Sequence, residues 1–235
     1  MEKLEILYLD KYIAVVNKPA GLLSVPFNGS NAHTAQSILE QILRKQGRVN
    51  SHHKPFAVHR LDRDTSGVMM FALTEQAQKI IMDTWHTMVT ERLYHALAEV
   101  SPIARKNPLA QEGLIDDPIA LNAHNIGYVP NAGGKRELKT VPARTFYKKL
   151  AENSKYALFE LSLDTGKKNQ IRAHLAAHGY PLAGDREHHA HTNPLNRLCL
   201  HARTLEFDHP FTHEHLKFEV PEPAEWEKVF KKTGS

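Results

Sequence analysis

Two β-prone runs near the start of the chain, Glu5-Ile6-Leu7-Tyr8-Leu9 and Ile13-Ala14-Val15-Val16-Asn17, stand on either side of a turn at Asp10-Lys11. So short a connection leaves no room for a crossover helix and dictates a hairpin. Further strand-like runs, marked by β-prone content and partial alternation, fall at residues 93–100, 143–150, 156–163 and 198–207. Helical spacing recurs in Ala35, Ile38, Leu39, Ile42 and Leu43, with a stop signal at Gly47, and again in Ala77, Ile80, Ile81, Trp85, Met88 and Val89. Residues 169–178 read as a short helix ending at Gly179, and residues 223–232 as a helix with proline near its first turn. Residues 101–140 read as irregular. There is no βαβ regularity, repeat or low-complexity linker, so the pattern predicts a single α+β domain over residues 1–235 with a mixed, mostly antiparallel sheet.

Between the first two helical patterns and just ahead of the apolar run Val68-Met69-Met70-Phe71-Ala72-Leu73 lies His59-Arg60-Leu61-Asp62-Arg63-Asp64-Thr65-Ser66-Gly67. It packs cations, carboxylates and a turn signal between strand-like segments, the setting of a functional loop on a rigid frame. Charge runs are more often solvated surface, so the bland reading starts ahead. A second stretch, Thr165-Gly166-Lys167-Lys168-Asn169-Gln170-Ile171-Arg172-Ala173-His174, puts cations and amides at a strand-to-helix junction where backbone N–H groups are free, which suits an anion.

Composition excludes several classes. With 235 residues and 41% hydrophobic content the chain can bury a sizeable core. Cys199 is the only cysteine, which rules out an internal disulfide framework and multi-cysteine metal sites and suits a reducing compartment. Glu2, Lys3 and Glu5 interrupt the first apolar residues, no apolar run approaches membrane-spanning length, and a cytoplasmic, monomeric protein without membrane contact is expected. A net charge of +4 permits a polyanionic partner. Its distribution favours one: Lys135, Arg136, Lys139, Arg144, Lys148 and Lys149 cluster in one segment and Lys167, Lys168 and Arg172 in another, although solvated lysines explain the first cluster equally well. Sixteen histidines, among them His188, His189, His191, His213 and His215, invite a metal. No metal is expected, because HExxH and Cys-x-x-Cys are absent and the loop histidines lack a partner set. Nucleophile-elbow, phosphate-loop and dinucleotide motifs are also missing, and no cofactor is expected.

The words of the motifs go further. His59-Arg60-Leu61-Asp62, followed two residues later by Thr65-Ser66-Gly67, resembles the signature of the RluA-type RNA pseudouridine synthases. The second stretch is similar to that family's Gly-Arg-Thr-His-Gln-Ile-Arg-x-His motif, with Lys167 where arginine is common and Lys168-Asn169 replacing the Thr-His pair. Arg92-Leu93-Tyr94-His95-Ala96 resembles its Lys-x-Tyr-x-Ala element, with arginine for lysine. Further matches are Asn17-Lys18-Pro19-Ala20-Gly21-Leu22, Gly184-Asp185, Leu200-His201-Ala202 and His209-Pro210, so the likeness covers nearly the whole chain. The small S4-type domain of some relatives is not expected.

This resemblance implies the pseudouridine synthase catalytic fold, with a central RNA-binding cleft flanked by helices, and a structured RNA, tRNA or rRNA, as partner. It implies Asp62 as catalytic residue, Asp64 being a turn acceptor, and Arg172 as the cation that keeps Asp62 ionised and oriented. It also implies Tyr94 as the active-site tyrosine, offering an aromatic face to a flipped base. By the same resemblance Arg60 is expected to enter the space that the uridine vacates, Leu200 to pack under the base, and Lys167, Lys168 and Gln170 to belong to the RNA-binding set, with the particular roles of Lys168 and Asn169 left open. Asp62 as nucleophile at C1′ and Asp62 as promoter of proton loss from the sugar both remain open. Two other classes stay in view: a catalytically silent RNA-binding domain, and a nucleoside hydrolase or glycosylase built on the same carboxylate.

Overall fold

A computed structural model describes residues 4–27, 32–130 and 138–232. In chain order its elements are β1 (Glu5–Leu9), β2 (Ile13–Lys18), α1 (Ala35–Lys45), β3 (Phe56–Ala57), β4 (Ser66–Ala72), α2 (Glu75–Met88) and β5 (Val89–Glu99). There follow α3 (Pro102–Lys106), β6 (Glu112–Ile115), β7 (Ile119–Leu121), β8 (Gly127–Tyr128), β9 (Thr140–Val141), β10 (Thr145–Glu152) and β11 (Tyr156–Leu163). The last are α4 (Gln170–Ala177), a single 3-10 turn (Arg186–His188), β12 (Leu200–Asp208), β13 (His215–Glu219) and α5 (Glu225–Lys232). They form two compact units, one of residues 1–92 with 201–221 and one of residues 93–200 with 222–235.

In the first unit β2 pairs antiparallel with β1 and with β4, completing the hairpin that the sequence dictates. Asp10 closes its turn, the Oδ1 atom accepting from the Tyr12 and Ile13 N–H groups at 2.7 Å each. β4 runs parallel to β12 at Ser66 and Gly67, and β12 pairs antiparallel with β13. Every residue of β4 is buried, which is why Val68 to Ala72 reads as an unbroken apolar run rather than an alternating one. Ile13, Val15, Val68 and Met70 pack in one cluster with Ala77, Ile81 and Met88 of α2 and with Leu205 and Phe207 of β12. Helix α1 starts at a capping box of Thr34 and Ser37, worth about 1 kcal/mol at such an N-cap. α2 stops at Met88, one residue short of the sequence pattern, because Val89 takes extended geometry and opens β5.

In the second unit β11 pairs antiparallel with β5 and with β10, and β10 with β6. Ile171 and Leu175 of α4 pack with Ala96, Ala98, Phe159 and Leu161, while Trp226 of α5 packs with Leu97, Tyr156 and Cys199. A separate three-stranded sheet has the order β8-β7-β9.

The α+β, mostly antiparallel architecture is therefore as expected. The expectation of an irregular 101–140 is not: α3, β6, β7 and β8 lie there and β9 begins at its last residue. Strands of two to four residues are too short to carry a period, and β6 exists through its register with β10, Ile115 opposite Thr145. β3 and β13 likewise lie outside the expected elements. Among the described residues no helix is long and apolar enough to cross a membrane.

Candidate active site

The first unit carries Arg60 and Asp62 in the loop between β3 and β4, and neighbouring groups hold that loop at several residues. Ser24 grips Leu61, its hydroxyl donating to the Leu61 carbonyl at 2.7 Å and accepting from the Leu61 N–H at 3.1 Å. The fully buried ammonium of Lys18 donates to the carbonyls of Pro19 (3.0 Å), Leu22 (2.7 Å) and Arg63 (2.9 Å). A buried cation is tolerated only with such acceptors, so Lys18 ties the Lys-Pro-Ala-Gly segment to the motif loop. The Thr65 N–H donates to the Asp62 carbonyl at 3.2 Å and closes a turn that leaves Asp62 half-buried and Arg60 and Asp64 exposed.

The flanking motif residues are structural. Nε2 of His59 accepts from the Met70 N–H at 2.9 Å, and the ring lies 4.8 Å from that of Trp85. Desolvation, assisted by the Arg92 charge, lowers its pKa to about 3, so His59 is a neutral acceptor and no general acid near neutrality. Nε2 of His201 donates to the Val220 carbonyl at 2.9 Å, which leaves Nδ1 to accept from the Ser66 hydroxyl at 2.8 Å. Gly67 has φ +114°, and a Cβ there would stand 2.0 Å from the Ala202 carbonyl oxygen. Only glycine permits that approach of β4 to β12.

The second unit carries the other expected residues. Tyr94 of β5 is partly buried against the apolar cluster that includes Ile171 and the buried Leu200. Arg172 of α4 is 8% exposed. Its Nε donates to Asp185 Oδ2 at 2.7 Å, and its Nη2 to Asp185 Oδ1 at 2.6 Å and to Glu187 Oε2 at 2.5 Å. Burial alone would raise the Asp185 pKa, but hydrogen bonds from Arg172 and His188 and their charges bring it down to about 2. Asp185, Glu187 and His188 are near enough to one another to suggest a metal, yet the guanidinium of Arg172 already supplies the positive charge among them.

Gln170, expected in the RNA-binding set, is turned inward. It is buried, and its amide is used in full: Oε1 accepts from the Thr165 hydroxyl (2.7 Å) and the Lys167 N–H (3.0 Å), and Nε2 donates to the Arg144 carbonyl and to Thr145 Oγ1, both at 2.9 Å. One helical turn on, His174 is also buried, with Nδ1 2.9 Å from Thr145 Oγ1 and Nε2 2.9 Å from the Asp117 carbonyl, and burial lowers its pKa. These two side chains clamp α4 to β10 and so set the position of Arg172 between them. Lys167 and Lys168 are exposed just before the helix. Asn169 adopts left-handed geometry (φ 54°) and accepts from the Gly127 N–H at 3.1 Å.

In the first basic cluster, three of the described cations have acidic neighbours. Arg144 pairs with Asp164 at 3.2 Å and Lys149 with Glu152 at 2.6 Å, and Lys148 stands in register between Glu112 and Glu160. Lys139 is exposed, and Lys135 and Arg136 lie outside the described residues.

The fold and these motif residues define a class. A model of the RNA pseudouridylate synthase family matches residues 12–177, a span that contains Asp62, Tyr94 and Arg172. The chain belongs to that family, and to its RluA type. It is 33% identical to tRNA pseudouridine synthase C of Vibrio parahaemolyticus over 97% of this chain and 94% of that protein. It is 30% identical to ribosomal large subunit pseudouridine synthase D of Zymomonas mobilis over 97% of this chain and 72% of that protein. The structure of human RNA pseudouridylate synthase domain containing 4 has the same fold, with a TM-score of 0.73 at 24% identity over 97% of this chain and 92% of that one.

Proposed function

We propose that this chain isomerises one or more uridines of tRNA or large-subunit rRNA to pseudouridine, with Asp62 as its catalytic residue. The observation that carries the reading is the family match across both motif stretches, joined to the likeness of 97% of the chain to synthases named for those two RNAs. In the reaction the N1–C1′ bond breaks, the uracil turns, and C5 bonds to C1′. The C5 proton leaves to solvent and N1 takes one up, so nothing is oxidised or transferred and no cofactor is needed.

Asp62 acts either as nucleophile at C1′ or by promoting proton loss from the sugar, and both need it ionised. Following the family's pattern, Arg172 orients that carboxylate and Tyr94 offers its ring to the flipped uracil, which has lost its stacking neighbours. Leu200 packs beneath the base. Arg60, exposed and planar, fills the gap left in the RNA, and the exposed Lys167 and Lys168 neutralise phosphates. In this reading the enzyme works in the cytoplasm as a monomer. Pseudouridine maps of total RNA from cells with and without the protein test it. At least one site in tRNA or large-subunit rRNA should vanish without the protein, and unchanged maps of both would contradict the reading.

A further inference from the structure

One residue, Gly127 in β8, holds the small sheet to the surroundings of Arg172 through its backbone. Its N–H donates to Asn169 Oδ1 at 3.1 Å, at the start of the helix that carries Arg172. Its carbonyl accepts from His188 Nε2 at 2.8 Å. A Cβ at this position would lie 2.1 Å from the Lys168 carbonyl oxygen, so the approach is as close as a backbone without a side chain allows. The other nitrogen of His188, Nδ1, stands 3.0 Å from Asp185 Oδ2, the same oxygen that receives Arg172 Nε at 2.7 Å. His188 is 6% exposed, too enclosed to meet RNA itself, and the proposed isomerisation gives it no task.

We propose that His188 is a positioning residue for Arg172: by bridging the Gly127 carbonyl to the Asp185 carboxylate, it makes the orientation of the guanidinium depend on where the β7–β8 hairpin sits. The hairpin turn is exposed from Asn122 to Asn125, so a substrate that moves it also moves the support of Arg172. This inference rests on the proposed role of Arg172 in isomerisation. A carboxylate that loses the His188 ring and keeps only that residue's backbone N–H, at 3.3 Å from Oδ1, lets a bidentate guanidinium swing, and misplacement of about 1 Å costs about 100-fold in a positioned reaction.

The test uses the full chain and an RNA bearing tritium at uridine C5, under single turnover. His188→Ala should lower the rate constant for tritium release about 10- to 100-fold while RNA affinity changes less than about 3-fold. His188→Gln, which keeps an N–H for the Gly127 carbonyl, should show the same split with a smaller loss and serves if the alanine variant fails to fold. The double variant with Asp185→Asn should be no slower than Asp185→Asn alone. A wild-type rate in the histidine variants, a loss confined to RNA affinity, or additive losses would overturn the proposal. If the wild-type protein releases no tritium, the isomerase reading fails instead, and His188 is judged by the Arg172 Nε–H resonance. That signal should shift and exchange faster with solvent in His188→Ala, and an unchanged signal would overturn the positioning role.

Discussion

The ammonium of Lys18 donates to the carbonyl of Arg63, 2.9 Å away and 45 residues later, and through that bond β2 holds the turn that presents Asp62. Lys18 is therefore part of the loop's frame, though no chemistry is assigned to it. Lys18→Met removes the charge and leaves three carbonyls without their donor. Hydrogen bonds to a charged group are worth about 1.5–3 kcal/mol each, so the loss should be at least about 3 kcal/mol. Urea unfolding monitored by tryptophan fluorescence measures it, and a loss below about 1 kcal/mol would contradict the frame role.

His59 makes stability depend on pH. Its folded-state pKa, about 3, lies below the ordinary value of 6.5, so the unfolded chain takes up the proton first. The stabilisation is complete above about pH 6.5 and declines as the pH falls toward 3. His59→Gln retains an acceptor for the Met70 N–H but cannot titrate. Between pH 6.5 and 5 the wild type should lose about 1.7 kcal/mol more than this variant, the slope approaching about 1.4 kcal/mol per pH unit as the pH falls. Parallel curves for the two proteins would rule the mechanism out.

Two glycines separate crowding from backbone geometry. A methyl group on Gly67 (φ +114°) would stand 2.0 Å from the Ala202 carbonyl oxygen, whereas one on Gly21 (φ +85°) would meet nothing within 4 Å. Gly21→Ala should cost about 1–2 kcal/mol, the penalty of left-handed geometry alone. Gly67→Ala must also push β4 from β12 and should cost more than about 3 kcal/mol, read as lost soluble yield or a lowered melting temperature. Equal effects at the two positions would refute the close approach.

Gln170→Ala discriminates a clamp from an RNA contact. The substitution leaves the Thr145 hydroxyl and the Arg144 carbonyl without their donor, so stability should fall by about 2–3 kcal/mol. RNA affinity of the folded fraction, measured by filter binding at fixed salt, should stay within about 3-fold. Unchanged stability with weakened binding would restore Gln170 to the RNA-binding set.

The parts of this molecule that are legible in the sequence are those written locally. The β1–β2 hairpin follows from its short turn and α1 and α2 from their spacing, while the proposal of Asp62, Tyr94 and Arg172 rests on motif wording. What escapes depends on residues far away in the chain. Ser66 meets His201 across 135 positions, and the use of Gln170 becomes visible only once Arg144 and Thr145 stand opposite it. The inward hydrogen bonding of the glutamine in the 165–174 stretch is hidden in the sequence, because an amide looks alike whether it faces RNA or a strand. β13 has a signal that could have found it, the alternation of Leu216 and Phe218 with His215, Lys217 and Glu219.

Tritium release from RNA labelled at uridine C5 tests the central claim, the catalytic role of Asp62, most directly. The wild-type protein should release tritium to water without freeing uracil, and Asp62→Asn should release none above background while remaining folded and RNA-bound. Release by Asp62→Asn at the wild-type rate, or free uracil among the wild-type products, would contradict the account.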